Sequence, residues 1–380
     1  MQKELELEEI GCFVNLFHAA KEYEATDLYI LEGRLPRIGR LKDYIPAHSE
    51  GSIEPSRGDI EQFILDTIYD DFALEGYLRI KHNKDGDGKN NKEVQNNLDY
   101  AFSIKGYGRY RVSATVSEEG WGLSIRKLPY YIPSIAEIDK KDFLRGIKQV
   151  LEGKETSGLI IHTGVTGSGK STLIASEIDA ISKSISGNIL TFENPIEYKY
   201  ESPSKALIRQ YEVGRHINSY TEGLRFALRN NPSVVVLGEV RSHEEIKEMI
   251  DMAMRGHLIF STMHTSNALN TIRFLDSIGE SKDSWRQLVA YSLKAVISQR
   301  LIYKRTAGFV FIPEVFIPSE VARNKLARGE FRDVKDMFYG NNLRETGSFT
   351  LEESLNILYR EGIVTDSERR SMSSVQQFFI

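Results

Sequence analysis

A glycine-rich octapeptide near the middle of the chain constrains the fold more than any other feature. The sequence GVTGSGKS occupies residues 164–171, directly after the apolar run LII at 159–161 and before a segment of helical pattern. Its glycines let the backbone curl so that successive N–H groups face one anion, and the dipole of the following helix favours that anion. A strand, this loop and a helix, in that order, predict an α/β domain that binds the phosphates of a nucleotide.

The polar residues of this loop have distinct expected roles. Lys170 is expected to reach the β- and γ-phosphates as a cation, and the hydroxyl of Ser171 to take a position on Mg²⁺. A glycine-rich turn with an incidental lysine is the alternative, but it treats the strand, the loop and the helix as a coincidence. The residues predicted to bind the nucleotide are Gly164, Val165, Thr166, Gly167, Ser168, Gly169, Lys170, Ser171 and Thr172.

An acidic residue follows a second buried-strand pattern. Glu239 comes directly after VVVLG at 234–238, and the carboxyl ends of parallel strands form the edge at which ligands bind in α/β sheets. Glu239 is therefore expected to hold Mg²⁺ together with Ser171. Without the glycine-rich loop, a glutamate that only solvates a strand end would be the simpler interpretation.

Two other strand ends carry candidate catalytic side chains. Glu193 and Glu197 lie in FENPIE at 192–197, and a carboxylate there can orient the water that attacks the γ-phosphate. Solvation of a loop is the alternative. His264 follows the apolar pattern at 258–263 and is a candidate γ-phosphate sensor, although a lone histidine is more often structural.

Three arginines ahead of the predicted linker are candidates for a phosphate contact. Arg109, Arg111 and Arg126 lie on strand-like sequence. The guanidinium group suits bidentate contact with phosphate, including the nucleotide of a neighbouring subunit. Ordinary surface arginines explain the pattern equally well.

The chain as a whole is expected to form two domains, because 380 residues exceed one core of ordinary size. Helical spacing at 10–23, a strand pattern at 27–31 and alternation at 100–126 predict a small α+β domain. A polar run at 81–97 predicts a solvated hairpin loop. The later strands alternate with helices, as in a doubly wound sheet. Because the two prolines of KLPYYIP disfavour helix, the expected divisions are an N-terminal domain at 1–127, a linker at 128–134 and a nucleotide-binding domain at 135–380.

Composition and charge argue against several classes of function. The formal net charge is −5, which gives no global electrostatic reason to bind nucleic acid. One cysteine argues against disulfide-stabilised export and against a multi-thiolate zinc site. The sequence contains no apolar run long enough to cross a bilayer and lacks the order of a secretory signal, so we expect a cytosolic protein.

The order of these motifs resembles that of the PilT-type secretion and retraction ATPases. GVTGSGKST, FENPIEY, VVVLGEVRS and GHLIFSTMHTSNA follow one another, and the resemblance extends from about Tyr100 to the end of the chain. It implies a PAS-like N-terminal domain, a RecA-like ATPase domain and a homo-hexameric ring that hydrolyses ATP with Mg²⁺. It also implies a cytoplasmic enzyme associated peripherally with the inner membrane through partner proteins of a secretion or pilus machine.

The resemblance also assigns roles to the candidate residues. Glu197 corresponds to the catalytic glutamate, with Glu193 beside it in the same motif. Glu239 corresponds to the Walker B residue and His264 to the His-box histidine. Arg111 and Arg126 are implied to contact the nucleotide from the N-terminal domain, and Arg109 matches less well.

Two departures bear on the branch of the family. Asn194 replaces the aspartate of the usual Glu-Asp-Pro-Ile-Glu, but both glutamates remain, so hydrolysis is expected to survive. VARNKLAR at 321–328 matches the AIRNLIRE-like helix of retraction motors only in part, and the four-cysteine insertion of the assembly branch does not occur. The DotB/TraJ branch, which serves type IVB secretion and conjugation, is therefore the expected branch.

Several functions stay open. The leading one is a secretion ATPase whose domains move against each other, with 128–134 as the hinge. A type IV pilus retraction motor is its nearest alternative. A nucleic-acid translocase would need a basic, aromatic-lined channel, and a GTPase switch would need an Asn-Lys-x-Asp motif that does not follow the loop.

Overall fold

A computed structural model describes most of the chain, and the chain folds as two compact units, Met1–Tyr131 and Ile132–Ile380. The described residues are 4–40, 43–47, 53–68, 71–85, 97–129, 131–200, 204–240, 242–279, 282–304, 308–340 and 342–377.

A seven-stranded mixed sheet forms the frame of the first unit. Its strands are β1 (Glu4–Leu5), β2 (Asp27–Leu31), β3 (Arg34–Arg40), β4 (Asp43–Pro46), β5 (Asn97–Ile104), β6 (Gly108–Ser117) and β7 (Gly120–Lys127). They lie in the order β1-β5-β6-β7-β2-β3-β4, with β1 parallel to β5 and the other neighbours antiparallel. Alternate residues of β6 are buried, namely Tyr110, Val112 and Ala114, as the pleat of a half-buried strand requires.

Helices cover the apolar face of this sheet. They are a 3₁₀ helix (Leu7–Phe13), α1 (Val14–Glu22), α2 (Arg57–Thr67) and α3 (Asp71–Asp85). Aromatic rings fill the space between helices and strands, since Phe17 meets Tyr110 edge-on at 4.9 Å and Phe63 meets Phe102 edge-on at 5.7 Å between centroids. The predicted helical segment at 10–23 and the strand at 27–31 are confirmed.

The prediction of a hairpin loop at 81–97 is wrong for its first part. Residues 81–85 continue helix α3, and β5 begins at Asn97. A helix that has nucleated on the apolar residues upstream extends into polar sequence at little cost, so a polar run alone does not mark its end. Residues 86–96 lie outside the described residues.

A second seven-stranded sheet organises the second unit. Its strands are β8 (Gly158–Thr163), β9 (Asn188–Glu193), β10 (Leu207–Glu212), β11 (Val234–Leu237), β12 (Leu258–Met263), β13 (Leu293–Lys304) and β14 (Gly308–Phe316). They lie in the order β10-β9-β11-β12-β8-β13-β14, and all neighbours are parallel except β13 and β14.

Helices bury both faces of this second sheet. Along β8, Leu159 and Ile161 belong to one apolar cluster and Ile160 to another, so successive side chains enter different cores. This is the predicted α/β arrangement, a mixed N-terminal sheet followed by a largely parallel one. The helices are α4 (Ile135–Ile138), α5 (Lys148–Leu151), α6 (Lys170–Ser184), α7 (Tyr220–Asn230), α8 (His243–Met254), α9 (Ala268–Ser277), α10 (Lys282–Ser292), α11 (Glu320–Ala327), α12 (Phe331–Tyr339), α13 (Leu351–Arg360) and α14 (Asp366–Gln377), with 3₁₀ turns at Arg145–Ile147 and Arg344–Thr346.

The segment between β7 and α4 contains the boundary of the two units. Leu128 is buried, and its backbone N–H donates to the carbonyl of Arg109 at 2.7 Å, so it continues the first unit. Ser134 caps α4 by accepting a hydrogen bond from the backbone N–H of Glu137, so the second unit has local structure from its first residues.

Candidate nucleotide-binding and catalytic site

The strand order of the second unit brings four motifs to one edge of the sheet. Strands β9, β11, β12 and β8 are parallel neighbours, so their carboxyl ends lie side by side. The glycine-rich loop follows β8, His264 follows β12 and Glu239 follows β11. Glu193 is the last residue of β9, and Glu197 lies four residues beyond it. The sheet therefore unites motifs that span a hundred residues of sequence at the edge where such sheets bind ligands.

The glycine-rich loop adopts a conformation that needs glycine. Gly164, Gly167 and Gly169 have φ values of 137°, 81° and 86°, where side chains are disfavoured. A Cβ on Gly164 would also lie 2.6 Å from the carbonyl oxygen of Gln299. Gly169 leads directly into α6, so the free N–H groups of a 15-residue helix open onto the loop.

Lys170 lies folded against the loop. Its Nζ donates to the carbonyl oxygens of Gly164 (2.8 Å) and Val165 (3.1 Å), and the residue is only 8% exposed. Burial lowers the pKa of Lys170, while the charges of Glu239 and Glu197 act to raise it. Both carboxylates are therefore within electrostatic reach of the lysine, as a shared phosphate site requires.

Ser171 and Glu239 provide the oxygen donors expected for Mg²⁺. Ser171 is exposed in the first turn of α6, and the Glu239 side chain is 18% exposed, with its Oε2 3.6 Å from His264 Nε2. A hydroxyl and a carboxylate fit the preference of Mg²⁺ for oxygen. Among the residues that the structure describes, no group of three or more His, Cys, Asp and Glu side chains could hold a metal ion.

One backbone and one side-chain hydrogen bond hold the segments of Glu239 and His264 side by side. The N–H of Val240 donates to the carbonyl of Thr262 (3.1 Å), and the hydroxyl of Thr262 donates to the carbonyl of Gly238 (2.5 Å). The predicted Walker B and His-box positions are thus joined at their strand ends, which explains their short side-chain separation.

Glu193 and Glu197 differ in their surroundings. The carboxylate of Glu193 accepts hydrogen bonds from the Thr191 hydroxyl (2.6 Å) and from Gln210 Nε2 (3.1 Å). Burial raises the pKa of Glu193 to about 7, these two hydrogen bonds oppose the shift, and the charge of Glu197 adds to it. Glu193 is therefore anchored within the sheet, whereas no such anchoring bond is seen for the half-buried side chain of Glu197 among the described residues.

Two residues that the sequence did not single out hold the Glu197 segment. The Tyr198 hydroxyl donates to Thr172 Oγ1 at 2.7 Å, and Gln210 Nε2 donates to the carbonyl of Tyr198 at 2.8 Å. Tyr198 could have been found, because it follows Glu197 directly. Gln210 carries no such signal, since only strand pairing brings β10 beside β9.

A chain of hydroxyl groups joins β8, the strand before the glycine-rich loop, to the segment after His264. Thr163 Oγ1 lies 2.6 Å from Thr265 Oγ1, which lies 2.5 Å from Thr271 Oγ1 on α9. The buried Glu314 accepts a hydrogen bond from the backbone N–H of Ala268 at 2.8 Å, at the start of the same helix. These contacts fix the position of the residues between β12 and α9.

The three candidate arginines lie in the first unit. Arg111 and Arg126 are register partners on β6 and β7, and Arg109 lies two residues before Arg111. Arg126 Nε is 2.7 Å from Asp27 Oδ1, and Arg111 Nη2 is 3.6 Å from Asp99 Oδ1. One sheet face thus carries all three, but the second unit alone assembles the glycine-rich loop, the glutamates and His264.

The fold and this site define a P-loop nucleotide-binding protein of the α/β class. Comparison with known proteins narrows the class. A profile described as "Type II/IV secretion system protein" matches residues 102–310. The Type IV pilus retractation ATPase PilT of Pseudomonas aeruginosa is 33% identical over 284 residues, which are 74% of this chain and 80% of that protein.

Solved structures agree in fold. The pilus retraction motor PilT with bound ADP superposes with a TM-score of 0.77 at 28% identity, covering 96% of each chain. The ATPase DotB of Legionella pneumophila superposes with a TM-score of 0.74 at 22% identity, covering 98% of each chain. The chain therefore belongs to the type II/IV secretion family of P-loop ATPases and is PilT-like. In the described part of the chain, no helix has the length and apolar character that a membrane span requires.

Proposed function

We propose that this ATPase is a motor of the pilus-retraction kind that works as a homo-hexameric ring. The observation that carries the proposal is the similarity to PilT over both units, in sequence and in fold. A protein that shared only the ATPase chemistry would need to match only the second unit. The type IVB secretion role expected from the sequence is the second candidate.

Within the second unit, each site residue has a proposed role in ATP hydrolysis. The N–H groups of residues 164–172 and Lys170 bind the phosphates. Ser171 and Glu239 would hold Mg²⁺, which supplies charge neutralisation at the phosphates when bound. Glu197 orients the attacking water as general base, Glu193 supports it, and His264 contacts the γ-phosphate.

The first unit is proposed to complete the site in the ring. Arg111 and Arg126, with Arg109 as a lesser candidate, would contact nucleotide as cations, because a guanidinium group stabilises charge on a transferring phosphoryl group. The segment 128–134 is the proposed hinge between domains at 1–127 and 135–380. Movement there would be the mechanical output of hydrolysis.

The proposed location is the cytoplasm, at inner-membrane proteins of the pilus or secretion machine.

The second candidate function rests on α11, where VARNKLAR at 321–328 departs from the helix of retraction motors. The likeness to DotB bears on fold alone, so it does not favour secretion over retraction.

Genetic replacement in the organism that encodes the protein tests the proposal. Cells that carry only the Lys170→Ala variant should keep surface pili but fail to retract them, as followed with fluorescently labelled pili. Secreted proteins are measured in the same cells. Normal retraction together with a loss of protein secretion would exclude the retraction motor and support the secretion candidate.

A further inference from the structure

A buried histidine and glutamate lie behind the glycine-rich loop. His162 is in β8, which leads into the loop, and Glu177 is in α6, which leaves it. Both are fully buried, and His162 Nε2 lies 2.8 Å from Glu177 Oε2. The ring of His162 stacks on Phe260, with 6.4 Å between centroids. Two ionisable groups thus occupy a place where apolar side chains would ordinarily pack.

Stability alone does not explain this pair. Burying two charges carries a desolvation penalty that their attraction offsets only in part, and an apolar pair of similar size is often as stable or more so. Among the described residues, neither oxygen of Glu177 nor Nε2 of His162 makes a well-directed hydrogen bond, so the two groups face each other at 2.8 Å as a close polar contact. Because the pair does not serve stability, its position behind the glycine-rich loop indicates a role in the site that β8 and α6 flank.

The second ring nitrogen of His162 shows what the pair acts on. Nδ1 lies 3.2 Å from Gln299 Oε1, and Gln299 Nε2 in turn donates to the carbonyl of Ser168 at 3.4 Å. The amide oxygen of Gln299 can only accept a hydrogen bond, so Nδ1 carries the proton of this contact. Nδ1–H therefore donates to Gln299 Oε1, while Nε2 lies against Glu177 on the other side of the ring.

Gln299 connects this pair to the phosphate-binding loop from the side of β13. Its backbone carbonyl oxygen is 2.6 Å from the place where a Cβ of Gly164 would lie, and its amide reaches Ser168 at the other end of the loop. Gln299 is 1% exposed, so water cannot replace these contacts without a rearrangement. A change in the side-chain orientation of Gln299 would remove its contact with the carbonyl of Ser168.

We propose that His162, Glu177 and Gln299 form a buried positioning network that sets the phosphate-binding loop in its nucleotide-ready geometry. Glu177 fixes the orientation of the His162 ring, His162 orients Gln299, and Gln299 holds the carbonyl of Ser168. The three are positioning residues that do not touch nucleotide. The network would prepare the loop for nucleotide binding, which the ATPase activity of the family requires. It does not depend on the ring or on the machine that the ring serves.

A matched pair of double variants tests the network. His162→Leu with Glu177→Leu removes both buried ionisable groups, so the protein should fold with an unchanged or higher melting temperature. His162→Asn with Glu177→Leu has nearly the same shape but keeps an N–H donor for Gln299. We expect the Leu/Leu variant to bind ADP about 5- to 10-fold more weakly, because one buried hydrogen bond is lost and its acceptor is left unpaired. The Asn/Leu variant should bind near the wild-type level.

Affinity for ADP is measured with the full-length protein by fluorescent ADP titration, together with kcat and KM for ATP. KM should change in parallel with the ADP dissociation constant. At saturating ATP, kcat should change by less than about 2-fold, because the network positions the loop for binding and does not touch the reacting atoms. Equal weakening in both double variants would overturn the role of Nδ1. An unchanged affinity in the Leu/Leu variant would overturn the network.

Gln299→Met keeps the proposal testable if the double variants fail to fold. Alone, it should weaken ADP binding to the same extent as Leu/Leu. Where both can be combined, the effects should not add, because each breaks the same chain of contacts. Wild-type affinity in Gln299→Met, or fully additive effects, would contradict the proposal.

Discussion

The two units present their functional residues in opposite ways. In the second unit, parallel strands converge on one edge, and Lys170, Glu193 and Glu239 are buried or half-buried there with defined partners. In the first unit, Arg111 and Arg126 lie on an open sheet face, each beside an aspartate, and Arg126 is 60% exposed. The residues expected to bind nucleotide therefore lie together in one unit, whereas the role proposed for the arginines would require an assembly.

The largest expected effect tests whether binding resides in the second unit. Lys170→Ala removes the cation held at the loop, and kcat/KM for ATP should fall by about 10³-fold or more. Lys183→Ala, a change at an exposed lysine on the same helix, is the control and should be neutral. Hydrolysis that survives Lys170→Ala would mean that the active site lies elsewhere.

The next effect separates the two glutamates of the FENPIE segment. Glu197→Gln should lower kcat by about 10²-fold while ADP affinity stays within a few-fold of wild type, because a general base acts on the water and not on binding. Glu193→Gln should lower kcat less, since its carboxylate is occupied by Thr191 and Gln210. The reverse ranking would move the role of base to Glu193.

A smaller effect is expected for the arginines of the first unit. Arg111→Ala and Arg126→Ala should each reduce kcat by about 10-fold through the loss of a charge-assisted contact, without changing ADP affinity. Arg34→Ala, at an exposed arginine of the same sheet, is the matched control. Because exposed ion pairs contribute little stability, melting temperatures should stay the same. Weaker ADP binding in either variant would break the division between the units.

The smallest effect concerns stability and pH. The folded-state pKa of Glu193, about 7, lies above its ordinary value of 4.5, so the folded protein binds the proton more tightly than the unfolded chain. Stability from this group is present at low pH and is lost as pH rises from about 4.5 to 7, by on the order of 1–3 kcal/mol.

Urea unfolding of nucleotide-free protein at pH 5 and pH 8 measures this term. Glu193→Gln keeps the acceptor oxygen but not the charge, so it should reduce the loss of stability between the two pH values. Glu352→Gln, at an exposed glutamate, serves as control. Identical pH dependence in Glu193→Gln and wild type would show that Glu193 is not the group that titrates.

The elements of the second unit can be predicted from local sequence, because the glycine-rich loop and the apolar strands each have a recognisable pattern. Lys170 could be placed in the loop, and Glu239 and His264 at strand ends, for that reason. Gln299 and Gln210 could not, since their importance comes from contacts with residues far away in the chain, such as the bond between Gln299 and His162. His162 offered one unused signal, a histidine inside an otherwise apolar strand.

In the first unit, local sequence pattern predicts the strands but not the end of a helix. Alternation on β6 and β7 predicted the strands, and the arginines were placed on them correctly. The extension of α3 through Asp85 was missed, because a polar helical end has no apolar repeat to reveal it. The function of Arg111 and Arg126 depends on what faces the sheet in an assembly, which no local pattern encodes.

The central claim is that one unit binds ATP by itself and that hydrolysis needs a neighbouring subunit. Its most direct test is the ATPase rate per subunit as the protein is diluted, with particle size followed in the same samples and Lys170→Ala as the blank. The Lys170-dependent rate is expected to fall as rings dissociate, while ADP affinity stays unchanged. A constant rate per subunit in samples shown to be monomeric would contradict it.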